Sequence, residues 1–255
     1  MKAGKTQIVA DDWKQLRKSL RVTDDEAYLH HEGKPLVAVW GIGFGDDRNY
    51  TLNECRALLR QLKDDGCSVM IGVPSFWRDG TRDSSDEPER LELISMADIV
   101  SPWTVGRYRT PEQAHRHADS VWAADQEWCE EREIGFLPVA FPGFSWKNLH
   151  GGKLDAIPRR KGEFLWSQIE GAKQAGCKML YVAMFDEVDE GTAIFKCTND
   201  PPVSSDSNFL TYHGLSSDYY LKLVGRAGQL FRGEVPVGAT SSFPIDFARQ
   251  NEIKE

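Results

Sequence analysis

Asp186, Glu187, Asp189 and Glu190 stand within five residues, directly after the apolar run Tyr181-Val-Ala-Met-Phe185. Carboxylates crowded this closely push one another's pKa values apart. One can then keep its proton as an acid while a neighbour ionises as a base, which is the division of labour that glycoside cleavage needs. Glu187 and Glu190 are three apart, so a helical or turn-like backbone points both to one side, whereas a continued strand sends them to opposite faces. Gly191 favours a tight turn. The same carboxylates could collect a divalent cation or form a solvated loop; acid/base catalysis is the leading reading. No His or Cys stands at metal-ligand spacing, HExxH included, and no cofactor or metal is expected to be required.

A second pattern accompanies the first. Strand-like runs are followed by loops that each bring an aromatic, often beside an Arg or a carboxylate. Trp40 opens Gly41-Ile-Gly-Phe44-Gly-Asp46-Asp-Arg48; Trp77 and Arg78 follow Pro74; Trp103, Arg107 and Tyr108 follow Pro102; Phe144 and Trp146 follow Pro142. Sugars stack C–H faces on aromatic rings and need planar donors and acceptors for their hydroxyls. Trp40, Phe44, Asp46, Trp77, Arg78, Trp103, Arg107, Tyr108, Phe144 and Trp146, with Asp186 and Asp189, are therefore the candidate substrate contacts. The alternative is that the aromatics only fill space at the functional end of the sheet. Gly41–Gly45 lacks the G-x-G-x-x-G order and a following Lys-Ser/Thr, and Asp46-Asp47 would repel a pyrophosphate, so it reads as a flexible acidic loop and not a nucleotide site. His30-His31 flank an expected turn at Glu32–Lys34, and His115 and His117 fall in an exposed-looking helix.

The elements that must position these groups alternate. Apolar runs Leu36–Trp40, Ser68–Val73, Asp98–Ser101, Gly135–Phe141 and Met179–Phe185 start 32, 30, 37 and 44 residues apart and each reads as a buried strand. Helical periodicity fills the gaps, which is the βα rhythm of a parallel sheet. Thr51-Leu-Asn-Glu54 and Thr110-Pro-Glu-Gln113 are capping-box patterns, the second with Pro111 at the first helical position, and open helices to about Asp65 and Arg132. Further helices are expected near 7–20, 88–96, 160–175 and 216–232. Five βα units fit either an open five-stranded sheet or part of a (β/α)8 barrel, which needs eight.

Composition narrows the classes. The chain has 255 residues, 40% hydrophobic and 27% charged, with mean hydropathy −0.48, which speaks against disorder and against membrane spanning. Thirty-one basic against 39 acidic residues leave a net charge of −8, and no basic groove is visible that would attract nucleic acid. Cys55, Cys67, Cys129, Cys177 and Cys197 show no CxxC pairing and are expected to be mostly buried thiols. Residues 1–15 hold no apolar segment of the kind a secretory signal uses.

Tyr28-Leu-His-His-Glu-Gly-Lys-Pro-Leu-Val37, Lys161-Gly-Glu-Phe-Leu-Trp166 and above all Tyr181-Val-Ala-Met-Phe-Asp-Glu-Val-Asp-Glu-Gly-Thr-Ala-Ile-Phe-Lys196 resemble bacterial proteins of the glycoside hydrolase family 71/99-like group, often labelled xylosidase/arabinosidase. The resemblance runs from about Asp11 to Pro236. It implies an α/β chain of the (β/α)8 TIM-barrel family, a glycosidase of carbohydrate metabolism or polysaccharide degradation, acting on an oligo- or polysaccharide. Similar proteins carry roughly three βα units ahead of the position where this chain begins, and full-length ones are often exported. The resemblance thus implies about five units here, strands 4–8, with 1–236 a partial catalytic barrel and 237–255 a tail, and open sheet edges available for self-association. In the family 99 endo-mannosidases a Glu-x-x-Glu-Gly carries the chemistry, matched by Glu187-Val-Asp-Glu190-Gly191. The match implies that Glu187 is the base on a sugar 2-hydroxyl, giving a 1,2-anhydro intermediate with retention, and Glu190 the acid/base at the leaving oxygen. Val188 and Asp189 stand where that family carries an aromatic and a His, which leaves open another α-linked glycan as substrate. The competing readings are a non-catalytic or vestigial carbohydrate-binding barrel and a metal-dependent enzyme built on the acidic loop.

Overall fold

The computed structural model describes residues 6–240 and 242–247; the rest of the expected tail lies outside the described residues. In chain order the elements are α1 (Thr6–Gln15, continued by a π turn over Leu16–Leu20), β1 (His30–His31), β2 (Lys34–Trp40), α2 (Leu52–Asp64), β3 (Ser68–Pro74), α3 (Arg90–Ile94), β4 (Ile99–Trp103), α4 (Pro111–His117), α5 (Ala123–Glu130), β5 (Gly135–Phe136), β6 (Val139–Ala140), α6 (Lys147–His150), α7 (Glu163–Gln174), β7 (Tyr181–Val182) and α8 (Tyr219–Phe231). They form two compact units, residues 1–103 with 127–137 and residues 104–126 with 138–255. Among the described residues no helix is long and apolar enough to cross a membrane.

The first unit holds a sheet in the order β1-β2-β3-β4-β5, with β1 antiparallel to β2 and the other pairs parallel. Its α2 starts as the pattern requires. Thr51 Oγ1 accepts from the Glu54 amide at 3.2 Å while Glu54 accepts from the Thr51 amide at 2.8 Å. Cys55, Leu58, Leu59 and Leu62 then form one buried stripe at helical spacing beside β3, whose Val69, Ile71 and Val73 have no exposure. The strand β2 corrects the expectation of uniform burial, for its residues are half-buried or exposed and Trp40 is 51% exposed. The cause is its place near the sheet's edge. That edge is not wholly open, however, because β1 pairs over Lys34–Pro35 and the Leu36 amide reaches Leu29 O.

The run Gly135–Phe141 is two strands and not one. β5 pairs with β4, whereas β6 pairs with β7, and between them sits Pro138, which has no N–H to give to a ladder. In the second unit β6 and β7 lie beside a core of Leu165, Trp166 and Ile169 from α7 and Tyr220, Leu223 and Leu230 from α8. Ile245 joins this core and its amide bonds Tyr219 Oη at 3.0 Å, so part of the expected tail is packed. The helix expected from Thr110 to Arg132 is α4 and α5 joined by a π turn over Ala118–Trp122. Its cap is incomplete as a box: Thr110 Oγ1 accepts from the Gln113 amide, but Gln113 Oε1 accepts from Arg109 and not Thr110. Ala114, His117 and Ala118 face inward on it, so His117 is buried against Tyr108 and Trp122 and not exposed.

Four cysteines are buried and Cys197 is partly so, and none of the five is in a disulfide. Burial pushes the Cys55 thiol up to about 11.

Candidate active site

The acidic segment folds as a turn. β7 spans only two residues; the Ala183 amide still reaches Ala140 O at 2.9 Å, and the chain then bends back on its own continuation. Glu187 O accepts from the amides of Thr192 at 3.1 Å and Ala193 at 2.9 Å, and Phe185 O from Ile194 and Phe195. Gly191, at φ 67°, closes the turn, and a Cβ there would meet Leu210 at 2.5 Å. Of the two arrangements open to the sequence, a turn and not a continued strand is therefore the one adopted.

Within it the two glutamates differ. Thr192 Oγ1 donates to Glu187 Oε2 at 3.3 Å. Glu190 is anchored through its backbone, its carbonyl accepting from the Ser145 amide at 2.7 Å. Its side chain is half-buried, and that burial, reinforced by the charges of Glu187 and Asp189, pushes its carboxyl from the usual 4.5 up to about 7. Asp186 and Asp189 are exposed. Among the described residues no group of His, Cys, Asp and Glu is arranged to hold a metal.

The Glu190 shift has a stability consequence. The unfolded chain releases this proton near 4.5 and the folded chain near 7, so over that window the folded state binds more protons and stability falls as pH rises. Glu190→Gln removes the liability. Thermal melts should place its Tm above wild type at pH 8, with the gap narrowing below pH 4.5; a gap independent of pH contradicts the shift.

Beside the turn, Phe144 and Trp146 come together with ring centroids 4.6 Å apart. Trp146 stacks on His150 at 5.7 Å and remains 37% exposed. Trp146 follows Ser145, whose amide bonds Glu190 O, so its backbone is one residue from the turn. Phe144 itself is buried, its backbone bridged to Ile157. The exposed Phe185, 58% accessible, was not among the sequence candidates although it directly precedes Asp186.

Other candidates in this unit divide. Arg107 is exposed. Tyr108 is buried, its hydroxyl donating at 3.0 Å to Gln168 Oε1, which also accepts from the Phe141 amide. Burial pushes the Tyr108 phenol up. Tyr108 is therefore a core residue that holds the end of β6, not a surface for ligand.

The first unit has its own aromatic cluster. Trp40 lies 4.8 Å from Phe44 and edge-on to Trp103 at 5.8 Å. Gly72 permits this, since a Cβ there would meet the Trp40 ring at 2.2 Å. Arg48, absent from the sequence candidates, covers both rings, with its guanidinium carbon 5.0 Å from Trp40 and 4.5 Å from Phe44. Asp46 grips it through two bonds of 2.7 and 2.8 Å, which lowers the Asp46 carboxyl. The loop is pinned where flexibility was expected: Gly41 and Ile42 amides bond Gly72 O, and the Gly45 amide bonds Asp83 O. Against it lies a cavity of about 290 Å³ lined by Phe44, Asp47, Arg48, Tyr50, Ser85 and Glu87. Trp77 is fully buried, edge-on to Trp128, and Arg78 pairs with Asp79 at 2.9 Å. Trp77 thus packs a core and presents no face to a ligand.

No protein-family model and no curated protein matches this sequence. Solved structures do match by fold. A family GH99 endo-α-mannosidase from Bacteroides thetaiotaomicron, in complex with BIS-TRIS-propane, is similar with TM-score 0.64 and 18% identity over 90% of this chain and 66% of that one. A second structure of the GH99 endo-α-mannosidase from B. thetaiotaomicron gives 0.63 and 19% over 91% and 63%. A glycoside hydrolase-like protein gives 0.56 and 16% over 88% and 61%. The chain thus spans about two thirds of the length of these proteins. Likeness at such identity establishes the fold, an α/β architecture with mostly parallel strands, similar to that of these TIM-barrel-like hydrolases.

Proposed function

We propose that the protein is a retaining glycoside hydrolase of an α-linked glycan, in which Glu187 and Glu190 are the catalytic pair and this chain supplies strands 4–8 of a (β/α)8 barrel. The observation that carries the reading is the acidic turn after β7. It sets two glutamates of unequal environment side by side, one hydrogen-bonded by Thr192 and one whose carboxyl is held near 7 by burial and neighbouring charge. The fold likeness to GH99 structures supports it.

In this mechanism, which requires a sugar whose 2-hydroxyl is trans to the glycosidic oxygen, Glu187 takes the proton of that 2-hydroxyl as its oxygen bonds to C1 from the opposite face, the glycosidic C1–O bond breaks, and Glu190 gives its proton to the departing oxygen. Water then opens the 1,2-anhydro ring at C1, returning a proton to Glu190, while Glu187 restores the 2-hydroxyl. A carboxyl titrating near 7 is half protonated at neutral pH, which suits a group that must act first as acid and then as base. Trp146 offers a stacking face for a sugar ring. Trp146→Ala is expected to raise KM about 10-fold with a smaller effect on kcat; an unchanged KM removes it from the binding surface.

The test is release of reducing ends from a panel of α-linked glycans by the intact protein, with and without EDTA. Release that survives EDTA supports the reading. Release lost to EDTA and restored by Ca²⁺ points to a metal-dependent enzyme, and glycan binding without release to a non-catalytic barrel.

A further inference from the structure

We propose that Arg159 is the positioning residue of the acidic turn: its guanidinium, sealed in the core, holds the carbonyls of Gly191 and Ala193 and so sets where the Glu187 and Glu190 carboxyls stand. The inference rests on the reading of that turn as the reacting site. Arg159 Nη2 donates to Gly191 O at 2.7 Å and to Ala193 O at 2.8 Å. These two residues flank Thr192, whose amide and hydroxyl hold Glu187, and Gly191 directly follows Glu190. One side chain therefore grips the turn on both sides of the contact that orients the first glutamate.

Arg159 is 1% exposed, and its guanidinium makes no ion pair among the described residues. A buried cation without a counter-ion is costly. Here Nη2 meets the two carbonyl dipoles, Nε and Nη1 have no hydrogen-bond partner among the described residues, and the ring faces of Tyr220 and Tyr212 lie 4.6 and 5.1 Å from the guanidinium. Tyr212 extends the same grip, its hydroxyl donating to Phe195 O at 2.5 Å. An apolar side chain would fill the space without the desolvation cost, so the cation is accounted for by the carbonyls it holds.

The surrounding chain accommodates this placement at some expense. Arg160 and Lys161, at φ 47° and 53°, take up left-handed backbone that is unfavourable for non-glycine residues. Tyr219 Oη holds Lys161 O at 2.8 Å. Gly143 gives the Arg159 stem its path, since a Cβ there would meet Arg159 Cγ at 2.7 Å. Nothing in the local sequence announces the role, because the contact spans 32 residues.

Amide hydrogen exchange and steady-state kinetics on the intact protein test the proposal with Arg159→Lys and Arg159→Met. Lys keeps a cation with a single compact head, and Met keeps only the stem. Exchange at the Thr192 and Ala193 amides should accelerate about 10-fold in Lys and more in Met, the scale of losing one hydrogen bond or two. Amides of α7, such as Ile169 and Ala172, should keep their wild-type rates in the Lys variant. With an α-glycan, kcat should fall about 100-fold while KM stays within about threefold, as expected when a reacting group is misplaced and binding is spared. Equal acceleration in the turn and in α7 would make Arg159 a general core residue, and unchanged exchange in the turn would show that it holds nothing there; either result overturns the proposal. Should Met fail to fold, the Lys variant decides alone. Should wild type cleave no glycan, the glycosidase reading fails, while exchange still reports whether Arg159 holds the turn.

Discussion

Glu187→Gln is expected to lower α-glycan cleavage by at least about 10²–10⁴-fold, the usual cost of removing a general base, with a larger loss because this group also forms the intermediate. The fold should survive. The backbone carbonyl of Glu187, which closes the turn through Thr192 and Ala193, is untouched by the substitution. A Gln side-chain oxygen can still accept the Thr192 hydroxyl that Glu187 Oε2 accepts at 3.3 Å. A substrate with an activated aryl leaving group should not rescue this variant, since the missing step is proton removal from the sugar. Wild-type rates in Glu187→Gln would take the residue out of the mechanism.

Glu190→Gln should cost a similar factor of about 10²–10⁴ on natural glycans but respond differently to the leaving group. An aryloxide of low basicity needs little protonation on departure, so such a substrate should recover much of the rate of the first step. Steady-state rates with a series of aryl glycosides would show this as a steeper dependence on leaving-group pKa than in wild type. The variant should also lose the alkaline fall in kcat/KM near pH 7, which in wild type follows deprotonation of the carboxyl held up by burial, Glu187 and Asp189. Equal rescue of both glutamate variants would show that the base and acid roles are exchanged or shared.

What the sequence announced was local. The Thr51 capping box and the turn after His30-His31 are fixed by neighbours a few residues away, and the structure contains both. The crowding of carboxylates after β7 was equally visible, because nearness in the chain made nearness in space unavoidable. Side-chain direction was not. Arg107 and Tyr108 are adjacent in one loop, yet one faces solvent and the other is buried on Gln168. Trp77 looked like a loop aromatic and is core, while Trp40 sat in an apolar strand run and is exposed, because its strand lies near the edge of its sheet. Arg48 carries no local signal of its role, because its pairing with Asp46 and its stacking on Trp40 depend on how the glycine loop is pinned to Gly72. Arg159 has no local signature at all. Its partners lie more than thirty residues ahead, and only the folded turn brings their carbonyls to it.

The central claim is that the turn carrying Glu187 and Glu190 cleaves an α-glycosidic bond through two inversions at C1, by way of a 1,2-anhydro intermediate. Proton NMR of the first product, followed from mixing and before mutarotation, reads the anomeric configuration directly. The account predicts that the α anomer appears first and that Glu187→Gln produces none of it. Appearance of the β anomer first would establish single displacement by water and contradict the account.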